Sequence, residues 1–135
     1  MSRLFVWAAA GLGVLGGACR GDQADALSRE AVRITSAVRA VRDAPNADKA
    51  LLLQSLAASS CTAADLCALR ATCLDGYRRH IRARGSLGSV RRDLAGGGGA
   101  AADLLAQAER ELGAARDLVQ LCARAEAQVR SQYRL

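Results

Sequence analysis

Residues 94–105 read LAGGGGAAADLL, Leu94 to Leu105. Four consecutive glycines cannot carry a helix forward, since each costs up to ~1 kcal/mol against alanine in a helix interior. They end one helix and reverse the chain. Upstream, Leu66, Leu69, Cys73, Gly76, His80, Ala83, Leu87, Val90 and Leu94 recur at spacings of three and four. The stripe runs straight past Gly85 and Gly88, which both fall off it, so one helix is expected to reach about Leu94. Downstream, Ala101, Leu105, Ala108, Leu112, Ala115, Val119, Cys122, Glu126, Val129 and Tyr133 repeat the pattern. Alanines alternating with larger residues let two antiparallel helices approach closely, which points to helix on helix and not to a sheet.

Folding the chain about the middle of the glycine run places each residue opposite the one whose number brings the sum to about 195. Leu66 then faces Val129, His80 faces Ala115, Val90 faces Leu105, and Cys73 faces Cys122. A Cys73–Cys122 disulfide is therefore expected. Six residues of helix rise about 9 Å, beyond the roughly 4.4–6.8 Å Cα separation of a disulfide. That excludes Cys67 with Cys73, and Cys61 with Cys73 more strongly. Cys61 precedes Thr62, which with Asp65 makes a Thr-x-x-Asp helix start, so its backbone is free to turn back onto Cys67. A Cys61–Cys67 bridge is the second expectation.

Pro45, the only proline, breaks the earlier part of the chain. Before it, Leu27, Ala31, Ile34, Val38 and Val41 form one apolar stripe, with Asp22 or Asp25 as a cap. After it, Asn46 is a good N-cap for a shorter helix carrying Leu52, Leu53 and Leu56 and ending at Ser59-Ser60. The expected fold is a small all-α antiparallel bundle of about four helices over residues 25–135, stapled by two disulfides. Its C-terminal pair is a long hairpin. The first two helices pack on the half nearest the termini and leave the glycine tip projecting.

The N-terminus begins Met-Ser-Arg and continues LFVWAAAGLGVLGGA, Leu4 to Ala18. A basic start, an apolar run and a small-residue end have the layout of a secretory signal peptide, assigned to residues 1–18. The apolar stretch is shorter than the ~20 residues of a permanent membrane span. Gly16 and Ala18 would also suit ordinary signal peptidase. The stretch Leu15-Gly16-Gly17-Ala18-Cys19 resembles the bacterial lipobox, with Gly16 where that motif usually has an aliphatic residue. The resemblance implies that Cys19 is diacylated as the first mature residue, with 19–24 as a lipid-anchored tether. It also implies a place in the cell envelope, and Arg20 in place of Asp implies the outer membrane over the inner. Cysteine number agrees. The chain has five, and an odd thiol is unusual in an exported protein. Lipidating Cys19 leaves Cys61, Cys67, Cys73 and Cys122 to pair completely. Arg20-Gly21-Asp22 would lie at the lipid headgroups and is read as coincidence.

Composition excludes several functions. The formal net charge is +6, carried almost wholly by arginine with Lys49 the only lysine. Charge alone does not make an exported chain a nucleic-acid binder, and no nucleic-acid partner is expected. Phe5 and Trp7 lie in the signal segment, which leaves Tyr77 and Tyr133 as the only later aromatics. Stacking platforms for bases or sugars are not supplied. His80 is the one histidine, so hydrolytic triads and histidine-rich metal sites are poorly provided. A metal site of Cys67, Cys73, Cys122 and His80 is the weaker alternative to disulfides, because the cysteine spacing is not that of a zinc finger. No cofactor is expected. Asp65, Asp75, Asp93, Asp103, Glu109, Glu111 and Asp117 read as scattered surface pairs. Glu126, on the seam near Leu69, reads as the open end of the bundle. No pair suggests acid–base catalysis, and the protein is not expected to be an enzyme.

The segment YRRHIRARGSLGSVRR, Tyr77 to Arg92, holds Arg78, Arg79, Arg82, Arg84, Arg91 and Arg92 beside His80. It is the candidate contact surface, for an envelope protein or for anionic lipid, and otherwise a solvated face. The expected function is that of an envelope lipoprotein, joined to a membrane by its N-terminal lipid, with a non-enzymatic structural or partner-binding role. The alternatives are an electrostatic binder of envelope anions and a metal-handling protein.

Overall fold

The computed structural model describes residues 18–135. All but the last residue of the expected signal peptide, and the side chain of Cys19, lie outside the described residues. Within them the chain forms four helices, α1 (Ala18–Asp43), α2 (Lys49–Ala58), α3 (Ala64–Ala95) and α4 (Ala101–Tyr133). Helix α1 begins ahead of both expected caps, so residues 19–24 continue it. Gly21 through Ala26 are exposed, and the Arg-Gly-Asp backbone is helical.

The glycine run ends α3 through a C-cap that only one glycine requires. Gly98 N–H donates to Asp93 O at 2.9 Å and Gly97 N–H to Leu94 O at 3.4 Å. Gly97 has φ 67°, the left-handed conformation that closes a helix C-terminus in this way. Helix α4 then returns along α3 in the expected register. Cys73 and Cys122 are bridged with a Cα separation of 4.8 Å, and Cys61 and Cys67 with one of 5.3 Å. Beside the longer bridge, a Cβ on Gly76 would come within 3.1 Å of the Leu118 carbonyl carbon. Glycine suits the close approach there, since a side chain would press on the α4 backbone and push it back by a few tenths of an ångström.

The core sits in the lower half of the hairpin. Ala31, Ile34, Val38 and Val41 of α1 and Leu53 and Leu56 of α2 pack against Leu66, Leu69 and Cys73 of α3 and Cys122 and Val129 of α4. Leu74 and Tyr77, off the seam stripe, are buried too, because α1 and α2 cover a second side of α3. Toward the tip no other helix among the described residues covers the pair, and the stripe fades. Leu94 is 63% exposed and Leu105 42%.

Three helix starts differ from expectation. Helix α2 begins at Lys49, after a turn in which Asp48 N–H donates to Pro45 O at 3.0 Å, so Asn46 is not its cap. Lys49 is itself buried. Its Nζ donates to Val41 O at 2.7 Å and Arg42 O at 2.8 Å, closing the C-terminus of α1. Thr62 does not cap α3 either. Its N–H and its hydroxyl both donate to the Glu30 carboxylate at 2.5 Å. Arg33 of α1 and Arg70 of α3 donate to the Ser60 and Ser59 carbonyls. The loop between α2 and α3 is thus clamped from both sides.

Glu126 is not at an open end. It is 3% exposed, and Arg42 Nη1 donates to its Oε2 at 2.6 Å. The expected opening is closed by α1, which brings Arg42 across the seam.

The Glu30 contact carries a pH signature. The hydrogen bond from the Thr62 hydroxyl, then that from its N–H, holds the Glu30 carboxyl below its ordinary value of 4.5. A carboxyl depressed on folding contributes stability that is complete above its unfolded value and is lost as pH falls through the folded one. Glu30→Gln should therefore lower stability at neutral pH and flatten its decline as pH falls below 4.5. Urea midpoints across that range test this, and parallel pH profiles for variant and parent would count against it.

Candidate functional site

All six arginines between Tyr77 and Arg92 are exposed, but α3 distributes them around its axis. Arg79 and Arg82 turn toward α4, where they meet Arg110, Glu111 and Ala114 in a groove of about 310 Å³. Arg78 borders a second groove of about 330 Å³ between α2 and α3, lined by Ala50, Leu53, Gln54, Ala57 and Ile81, with Arg82 between the two. Arg84 lines neither. Arg91 and Arg92 lie near the tip, where Arg92 Nη2 donates to Ser89 Oγ at 3.0 Å. Among the described residues only Arg79 of the six has a carboxylate partner, Asp75 at 3.3 Å.

Glu111 has an unusual position within this positive field. It lines the first groove, yet it forms no ion pair with Arg82 or Arg110. Its Oε2 accepts the Ser86 hydroxyl at 2.6 Å across the helix pair, and its Oε1 accepts the Gln107 amide at 3.0 Å. The Ser86 bond, then that from Gln107, lowers its pKa below the ordinary 4.5. The group is therefore ionised at neutral pH and held in place by neutral donors.

Arg110 and Glu111 were not among the expected contact residues. The hairpin register that pairs Cys73 with Cys122 also sets Glu111 near Arg84 and Ser86, so the signal was present in the numbering. Of the carboxylates read as surface pairs, Asp75 keeps an arginine. Asp65 instead accepts from the Tyr133 hydroxyl at 3.0 Å and the Gln132 amide at 2.9 Å.

His80 is half-buried on α3. Burial, then the charges of Arg84 and Lys49, lowers its pKa from 6.5. With four thiols in bridges, Cys67, Cys73 and Cys122 have no thiolate to offer a metal. Among the described residues no group of three His, Cys, Asp or Glu side chains is placed to hold an ion. Nor is any helix among them long and apolar enough to cross a membrane.

The fold and the groove define a disulfide-stapled helical domain with an arginine-lined hairpin. No protein family, curated protein or solved structure matches the chain.

Proposed function

We propose that this protein is a lipid-anchored, non-enzymatic domain of a bacterial cell envelope that engages a partner through the arginine-rich part of its hairpin. The observation that carries the reading is the set of exposed guanidinium groups on α3, five of the six without a carboxylate partner among the described residues. Unpaired arginines in one region attract anionic groups over a Debye length of about 8 Å at physiological salt. The disulfides favour an oxidising compartment, which agrees with the signal segment and the odd cysteine at position 19.

The anchor and the tip lie at opposite ends. Glu30 of α1 sits at the start of α3, Leu27 and Ser28 just ahead of it are half-buried, and residues 21–26 are exposed, so the helix from 18 to 26 runs on past the base of the bundle by about 13 Å at 1.5 Å per residue. With a lipid on Cys19, that stretch is a helical stalk that holds the bundle off the membrane.

Two measurements test the reading. Intact mass spectrometry should show loss of residues 1–18 and added fatty acyl mass on Cys19, and an unmodified Cys19 would remove the anchor. Charge reversal of Arg82, Arg91 and Arg92 should change stability by no more than about 0.5 kcal/mol each. It should also weaken recovery on anionic vesicles or of an envelope partner, and the parent's binding should fade as salt rises. Unchanged binding by the triple variant would reduce the cluster to a solvated face.

A further inference from the structure

The groove between α3 and α4 holds positive and negative groups in a fixed arrangement. Arg82 and Arg110 present guanidinium groups with no carboxylate partner among the described residues, and Arg79 stands beside them, shared with Asp75. Glu111 faces the same space. One bond from Ser86 and one from Gln107 use part of its hydrogen-bonding capacity, since an ionised carboxylate has about four acceptor sites. Ser86 comes from α3 and Gln107 from α4, so the carboxylate is positioned by the hairpin itself.

A purely anionic ligand does not fit this set. Arginine suits phosphate, through planar paired hydrogen bonds. Glu111 would repel a ligand carrying only negative charge. A ligand with a phosphate and a cation on a short spacer satisfies both ends. The cation must donate hydrogen bonds to the remaining carboxylate sites, which selects a primary ammonium. A quaternary ammonium is held by aromatic rings, and none lines this groove. Tyr77 is buried elsewhere in the core, and the Tyr133 hydroxyl is bound to Asp65. The volume of about 310 Å³ is that of a small headgroup site, at the lower end of ligand pockets.

We infer that the groove binds a phosphoethanolamine group, with Arg82 and Arg110 on the phosphate, Arg79 supporting them, and Glu111 on the primary ammonium. The inference rests on the arginine-rich part of the hairpin being a contact surface and narrows it to one site and one chemistry. The same group occurs as a phospholipid headgroup and as a soluble ester.

The test titrates soluble O-phosphoethanolamine and inorganic phosphate into the full protein, followed by NMR of the arginine side chains. The parent should bind phosphoethanolamine more tightly than phosphate, by roughly fivefold for one exposed charge contact. Glu111→Gln should abolish that preference while keeping phosphate binding equal or stronger. Arg82→Ala should weaken both ligands. Helical ellipticity of each variant confirms that the hairpin is intact. Equal affinities in the parent, or a preference that survives Glu111→Gln, would overturn the assignment. Vesicles of phosphatidylethanolamine in phosphatidylcholine then identify the source. Retention by the parent and not by Glu111→Gln supports a lipid headgroup, whereas binding of the soluble compound alone supports a soluble ester. Should Glu111→Gln change nothing while reversal of Arg82, Arg91 and Arg92 still removes partner recovery, that part of the hairpin remains the contact surface and only the ligand falls.

Discussion

A Cys73→Ala, Cys122→Ala variant is expected to lose about 4 kcal/mol of unfolding free energy, with a Tm drop on the order of 15 °C. The bridge joins residues 49 positions apart, and in the chain-entropy account the loss grows with the loop closed. The pair lies in the seam with Cys73 fully buried and Cys122 at 1% exposure, so the alanines also leave packing gaps. The Cys61–Cys67 bridge closes only six positions, and its removal is expected to cost about 2 kcal/mol. Denaturant unfolding followed by helical ellipticity measures both. Equal losses from the two variants would mean that loop length does not govern these bridges. Hydrogen exchange adds a spatial check. The tip of the hairpin lies beyond the core that α1 and α2 form with it, so its amides should lose protection first in the long-bridge variant.

Arg42→Met is expected to cost about 2 kcal/mol, and the double change Arg42→Met, Glu126→Leu to recover most of it. Removing one partner of a buried ion pair leaves an unpaired charge, which typically costs about 3–5 kcal/mol. The full figure does not apply here, because the Arg42 side chain is 41% exposed and water covers part of it. Glu126 is the desolvated member, with its side chain 5% exposed. Replacing both by apolar residues removes the charge to be satisfied and fills the seam. A double variant no more stable than Arg42→Met would show that the pair holds α1 on the hairpin by something other than charge compensation.

The hairpin was legible because its signals are local. A helix repeats at 3.6 residues, so a stripe at three and four spacing states which side is buried without reference to anything else. A glycine run sets the point of reversal. Together they fix the register, and the register pairs Cys73 with Cys122. The second bridge followed by elimination, from the rise of a helix and from Cys61 lying ahead of the helix start. Helix starts were less legible. Asn46 and Thr62 are good caps by residue type, yet Asn46 lies in the Pro45 turn, and Thr62 is drawn to Glu30, 32 residues earlier.

What the sequence by itself determined is the all-α class, the hairpin, its register and its bridges, together with the arginine content of α3. Only the tertiary structure decided which polar groups meet. Glu30 with Thr62, Lys49 with the end of α1, and Arg42 with Glu126 all depend on how α1 and α2 are rotated and placed against the hairpin. The groove depends on which arginines of α3 turn toward α4 and on Ser86 taking Glu111 away from them. Periodicity encodes the buried side of each helix, but it is silent on the azimuth and height at which two helices meet. A charged side chain is satisfied only at one such setting, so its partner becomes known when the helices are packed and not before.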